Sequence, residues 1–172
     1  KESSAASDVY KRQALQLAEQ GLSVALFDKG GCKGENAAAY VAAAMLAPAA
    51  EAVEATPEVI KLGRQSIPLW RDIRGRLKTP TMMQENGSLI VWHGQDKPLS
   101  GEFVRHLKRG GVANDEIVRW HADEIAEREP QLGGRFSDGL YLPTEGQLDG
   151  RQMLSALADA LDGLNVPCPV SY

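Results

Sequence analysis

The residues best placed to do chemistry are Asp28 and the small side chains that follow it. Leu22–Phe27 is an apolar run that reads as a strand, and Asp28 stands at its end. An apolar strand ending in Asp or Glu is how a dinucleotide-binding α/β fold presents a carboxylate to a ribose hydroxyl. After a glycine-containing turn, an alanine run over Ala37–Met45 closes on Met45-Leu46-Ala47-Pro48. Small side chains let backbone N–H groups come close to a flat ligand or to its phosphates. The same run also fits a buried alanine-rich helix, so composition leaves both readings open. In the dinucleotide fold the carboxylate lies about 20 residues beyond a glycine-rich phosphate turn. Counting back from Asp28 reaches Asp8, and no glycine occurs over Lys1–Gln20. Half of the fingerprint is present.

The other reactive side chains stand alone. His93, His106 and His121 have no second histidine or carboxylate at ligand spacing, which favours surface or packing roles and implies no metal. Cys32 and Cys168 have no catalytic partner in view, and two thiols fit a reducing, cytoplasmic setting better than a disulfide framework. A net charge of −4 argues against a nucleic-acid partner. No apolar run approaches the ~20 residues that would span a bilayer, which argues against a membrane role. The 172 residues, 43% hydrophobic and 24% charged, suffice for one domain or for parts of two.

The elements that would position Asp28 and the alanine run are those of a βα-type fold with an insertion. Residues 1–13 are polar and aperiodic, and are expected to be disordered or an artefactual leader, since SDVYKRQ resembles translated sequencing adapter. Residues 169–172 are expected to be a similar tail. Ala14–Gln20 reads as the end of a helix with Gly21 beyond its C-terminus. Thr56 and Pro57 open a long helix whose inward stripe is expected at Val59, Leu62, Ser66, Leu69, Ile73 and Leu77, with a kink near Arg64 caused by Pro68. Thr81–Glu85 and Ser88–Trp92 flank Asn86-Gly87, a hairpin signal. Ser100 is expected to cap a helix stopped by Gly110-Gly111. Ile117–Trp120 and Gly139–Leu142 read as strands, and Asp149 with Gln152 as a capping box for a helix buried through Leu154, Leu157 and Leu161. Leu164–Val166 would begin a further strand.

The segment VALFDKG…AAAYVAAAMLAP resembles the FAD-dependent amino-acid oxidase (DAO) superfamily, and within it the glycine oxidases of thiamine biosynthesis. In that family a strand ends in FE or FD, and a variable loop leads to AAGML. Here the equivalent is Ala42-Ala43-Ala44-Met45-Leu46, with Ala44 where the family usually has glycine. Gly139–Asp149, leading into Arg151–Leu154, looks like the family's return from substrate domain to cofactor domain. The resemblance covers about residues 14–166.

That resemblance implies an α/β (α+β) fold class, namely an incomplete Rossmann-like FAD-binding domain plus part of a mixed-sheet substrate domain. The expected division is 14–80 partial FAD-binding domain, 81–145 partial substrate-binding domain, and 146–168 return to the FAD-binding domain. Asp28, with Lys29 beside it, would hold the adenosine ribose of FAD. Ala38 and Ala39 would lie by the diphosphate and ribityl chain, and Ala43, Ala44 and Met45 would run against the flavin ring. The implied activity is oxidation of glycine or another small amino acid to an imine with release of hydrogen peroxide. The alternatives are a D-amino-acid dehydrogenase of the same fold, and a non-catalytic or NAD-binding Rossmann-like module. No catalytic residue falls within the chain, which is expected to be a fragment truncated at both ends that alone neither retains FAD tightly nor turns over. The full-length parent leaves room for a homo-oligomer.

Overall fold

The computed structural model describes residues 7–27, 32–35 and 37–168. The helices are α1 (Ser7–Glu19), α2 (Ala38–Val41), α3 (Pro57–Arg76), α4 (Lys97–Arg109), α5 (Ala122–Arg128) and α6 (Gly150–Gly163). The strands are β1 (Met45–Leu46), β2 (Met83–Gln84), β3 (Ser88–Val91), β4 (Val118–His121), β5 (Asp138–Leu142) and β6 (Gly146–Leu148). They form two three-stranded sheets, ordered β1-β6-β2 and β3-β5-β4. The content is mixed α and β, as the sequence implied. The chain divides into two compact units: Lys1–Met45, Trp70–Met83 and Leu148–Tyr172 in the first, Leu46–Leu69 and Gln84–Gln147 in the second.

In the first unit, α1 packs on α6. The helix whose end was read over Ala14–Gln20 starts at Ser7, so residues 7–13 are helical. Burial accounts for this: Lys11 is enclosed, as are Ala14 and Leu15, and the Arg12 guanidinium stacks 4.3 Å from the Trp70 ring centroid. An α-helix propagates easily once one turn is packed. In α6 the Asp149 carboxylate accepts from Gln152 N–H at 3.0 Å, and Leu154, Leu157 and Leu161 are buried. The reciprocal half of the expected box is not formed. The Gln152 side chain accepts instead from Met82 N–H at 2.8 Å.

Two expected strands, Leu22–Phe27 and Leu164–Val166, are not strands in the structure. A strand exists only through its neighbours. Leu26 N–H donates to Pro167 C=O at 2.9 Å, just beyond Val166, without a ladder forming. Cys32 and Cys168 are not separate thiols, as the sequence suggested, but form a disulfide across 136 residues with Cα atoms 6.0 Å apart. Spacing along the chain gives no hint of that pairing.

In the second unit, β5 is the centre of an antiparallel sheet, with Ser88 opposite Leu142 and Val118 opposite Tyr141. Ala49, Ala52, Ile60, Leu107, Val112 and Leu142 make its core. The Asn86-Gly87 hairpin does not form, because β2 and β3 belong to different sheets. Gly87 turns the chain with φ +79°, its N–H donating to Glu145 C=O at 2.9 Å. Ser100 lies in the first turn of α4 rather than at its cap, donating to Lys97 C=O at 2.7 Å.

Helix α3 runs through Pro68, and its inner face is only partly the one expected: Ser66, Ile73 and Leu77 are half-buried. Ile60, Ile67 and Trp70 are buried, whereas Val59, Leu62 and Leu69 are 57%, 65% and 52% exposed. Both sets recur at helical spacing. Rotating the helix by one residue, about 100°, exchanges them.

Candidate functional site

The alanine run is not a continuous helix. It makes one turn, α2, closed by Tyr40 N–H to Ala37 C=O and Ala42 N–H to Ala38 C=O, each 3.0 Å. At Ala42 the backbone becomes extended, with φ −69° and ψ 148°. Ala44 then takes φ +51°, left-handed backbone that costs an L-residue about 1–2 kcal/mol. From there the chain enters β1. None of α2 is buried. Of the residues expected at the site, Ala38, Ala43 and Met45 are exposed, while Ala39 and Ala44 are half-buried. Val41 is 77% exposed and Met45 57%. Asp28 and Lys29 lie outside the described residues.

Three contacts from one distant stretch hold this segment. Leu148 N–H donates to Ala44 C=O at 3.0 Å. Gly150 lets α6 approach so closely that a Cβ there would sit 3.0 Å from Ala39 O and 3.4 Å from Ala44 Cβ. Arg151 Nε donates to Tyr40 C=O at 3.1 Å, with its guanidinium 4.9 Å from the Tyr40 ring centroid. Sequence reasoning passed over Tyr40, Leu148, Gly150 and Arg151. Glycine directly after a helix cap was the one available signal, since a missing side chain there permits close approach.

Backbone carrying methyl-sized side chains, beside exposed Val41 and Met45, suits the edge of a large flat apolar ligand. Ala44 is the strained point. Replacing it with glycine removes the left-handed cost while adding about 0.5–1 kcal/mol of backbone entropy loss. Ala44→Gly is expected to stabilise the chain by up to about 1 kcal/mol, read as a higher urea midpoint. A lower midpoint would refute the strain assigned to this turn.

The isolated histidines belong to the second unit. His121 Nδ1 and Arg119 both meet Asp138 Oδ1 at 3.1 Å on an exposed edge, and His93 packs on Phe136 with centroids 5.0 Å apart. Among the described residues no group of His, Cys, Asp and Glu could hold a metal. Among the described residues no helix is long and apolar enough to cross a membrane either.

The family model described as FAD dependent oxidoreductase matches residues 13–168. A Rhizobium etli protein described as a thiamine biosynthesis oxidoreductase, ThiO, is 35% identical over 151 residues, covering 87% of this chain and 42% of that protein. Among solved structures, glycine oxidase from Geobacillus kaustophilus superposes with a TM-score of 0.75 at 20% identity, over 96% of this chain and 44% of that one. Iminodiacetate oxidase from Chelativorans sp. BNC1 gives 0.78 at 18%, over 98% and 46%. L-α-glycerophosphate oxidase from Mycoplasma pneumoniae, solved with FAD bound, gives 0.74 at 14%, over 97% and 42%. The chain therefore spans less than half the length of these relatives. With a matching family model across nearly its whole length and a curated relative at 35% identity, the chain belongs to the FAD dependent oxidoreductase (DAO) family.

Proposed function

We propose that the protein is an oxidase of glycine or another small amino acid or amine, acting in thiamine biosynthesis, with residues 38–45 as one wall of its FAD site. The observation that carries the reading is the exposed small-residue segment that leaves helical geometry at Ala42 and turns sharply at Ala44. A methyl-lined backbone of this shape fits the cofactor, because larger side chains would hold a planar ring away from the N–H groups. The names of the Rhizobium and Geobacillus proteins support the substrate class and the thiamine role.

Ala38 and Ala39 would offer backbone to the diphosphate and ribityl chain. Ala43, Ala44 and Met45 would pack on the flavin ring and shield that face from water. Asp28 would take the ribose hydroxyls, with Lys29 beside it. When bound, the flavin supplies the redox chemistry, accepting two electrons from the carbon next to the amine; the chain supplies orientation and electrostatics.

The test is amine-dependent oxygen uptake by the protein expressed from its complete reading frame and purified with its flavin. Glycine is expected to drive oxygen consumption with hydrogen peroxide release. Reduction of a quinone or dye without peroxide would replace the oxidase by a dehydrogenase. A preparation with no flavin absorbance band would overturn the reading altogether.

A further inference from the structure

The three contacts on residues 38–44 all come from residues 148–151, and their chemistry differs. Leu148 gives a backbone bond and Gly150 gives room; only Arg151 acts through a side chain that can be changed without moving the backbone. Its partner, Tyr40 C=O, belongs to the last turn of α2, where carbonyls have no acceptor role left inside the helix. A cationic donor at that end also matches the sign of the helix's terminal partial charge, although a single turn adds little. The guanidinium simultaneously lies against the Tyr40 ring, so one residue constrains both the main chain and the side chain of position 40.

The geometry points to Arg151 as a positioning residue for the FAD-facing segment, an inference that rests on the reading of residues 38–45 given above. Arg151 fixes Tyr40, Tyr40 fixes the end of α2, and the extended step at Ala42 starts from there. The loop therefore presents its amides in a set orientation before any ligand arrives, which spares the ordering cost on binding. Lysine cannot reproduce this. It can donate to the Tyr40 carbonyl but has no flat face to lay on the ring.

Two measurements test the inference. The first is hydrogen exchange on the chain itself, with no ligand. Arg151→Ala is expected to raise exchange at the Tyr40 and Ala42 amides by about tenfold, while the capped Gln152 amide of α6 keeps its rate. Arg151→Lys should recover part of that protection. Unchanged exchange at residues 40–44, or an equal rise throughout α6, would overturn the positioning role. The second is FAD affinity, followed by flavin fluorescence on the protein from its complete reading frame. There Arg151→Ala is expected to weaken binding by about tenfold, with lysine intermediate. Faster exchange with unaltered FAD affinity would sever Arg151 from the cofactor. If the unsubstituted protein shows no FAD affinity, the FAD reading itself fails, while the exchange data still decide what Arg151 holds in place.

Discussion

Replacing Glu145 with alanine is expected to lower the stability of the chain by about 2–4 kcal/mol, measured as a shift in urea midpoint. Glu145 is only 1% exposed, yet it is an acid. Its Oε1 accepts from Ala49 N–H at 2.7 Å and from Ala50 N–H at 2.9 Å, which are free donors at the start of the 3₁₀ turn Ala50–Val53. Alanine would strand one buried and one part-buried amide and leave a void, and a buried donor without a partner costs about 1–3 kcal/mol. Its main-chain oxygen also receives Gly87 N–H at 2.9 Å, so the same residue ties two loops of the second unit.

Glu145→Gln separates the hydrogen bonds from the charge. Burial pushes the Glu145 carboxyl above its ordinary range; the donors at Ala50, Ser88 and Ala49 pull it down without cancelling that effect, and Glu51 adds a smaller upward push. Oε2 makes no hydrogen bond among the described residues. The sign for an acid with a raised folded pKa is fixed by linkage. The stability it contributes is fully present below the unfolded value, about 4.3, and is lost as pH rises through the folded value. Glutamine keeps an acceptor for both amides and never ionises. Relative to wild type, Glu145→Gln should therefore gain stability as pH rises from about 4, until it passes the raised folded value. A stability difference that stays flat over that range would show that the carboxyl does not titrate as its burial demands.

What the sequence disclosed depended on how local the signal was. Asp149 capping α6 and Leu154, Leu157 and Leu161 facing inward are relations within one or two turns, and the structure carries them. The inner face of α3 was misread in part because Val59-Leu62-Leu69 and Ile60-Ile67-Trp70 are both apolar sets at helical spacing, and only tertiary packing chooses between them. Leu22–Phe27 has strand composition, but composition cannot create the neighbouring strand that would define it. At the candidate site, the small residues were visible as a run. Their break at Ala42 and their support by Arg151, 111 positions beyond Tyr40, were not, because a contact over that distance leaves no period in the sequence. Ala44 marks the boundary between the two cases: its departure from the family's usual glycine was legible, and φ +51° gives the physical reason that glycine suits the position.

Gly146→Ala should be about as damaging as the loss of Glu145, at about 3 kcal/mol, and for an opposite reason: it adds an atom where there is no room. Gly146 opens β6, and a Cβ there would overlap the Gln84 carbonyl oxygen and lie 3.1 Å from Glu85 Cα. Both are backbone atoms, so no rotamer change relieves the contact, and β6 would have to move away from Gln84. Gly163→Ala supplies the comparison. Gly163 ends α6, and a methyl added there would meet nothing within 4 Å, so the same substitution should be neutral or stabilise by a few tenths of a kcal/mol. If both variants melted alike, the close approach at Gly146 would not be what keeps it small. A selective loss at Gly146, together with the loss expected for Glu145→Ala, would show that the chain entering β6 tolerates neither a shorter side chain at position 145 nor a longer one at 146. That pairing is a physical reason for an acid and a glycine to stand together at the start of β6, independent of any role in catalysis.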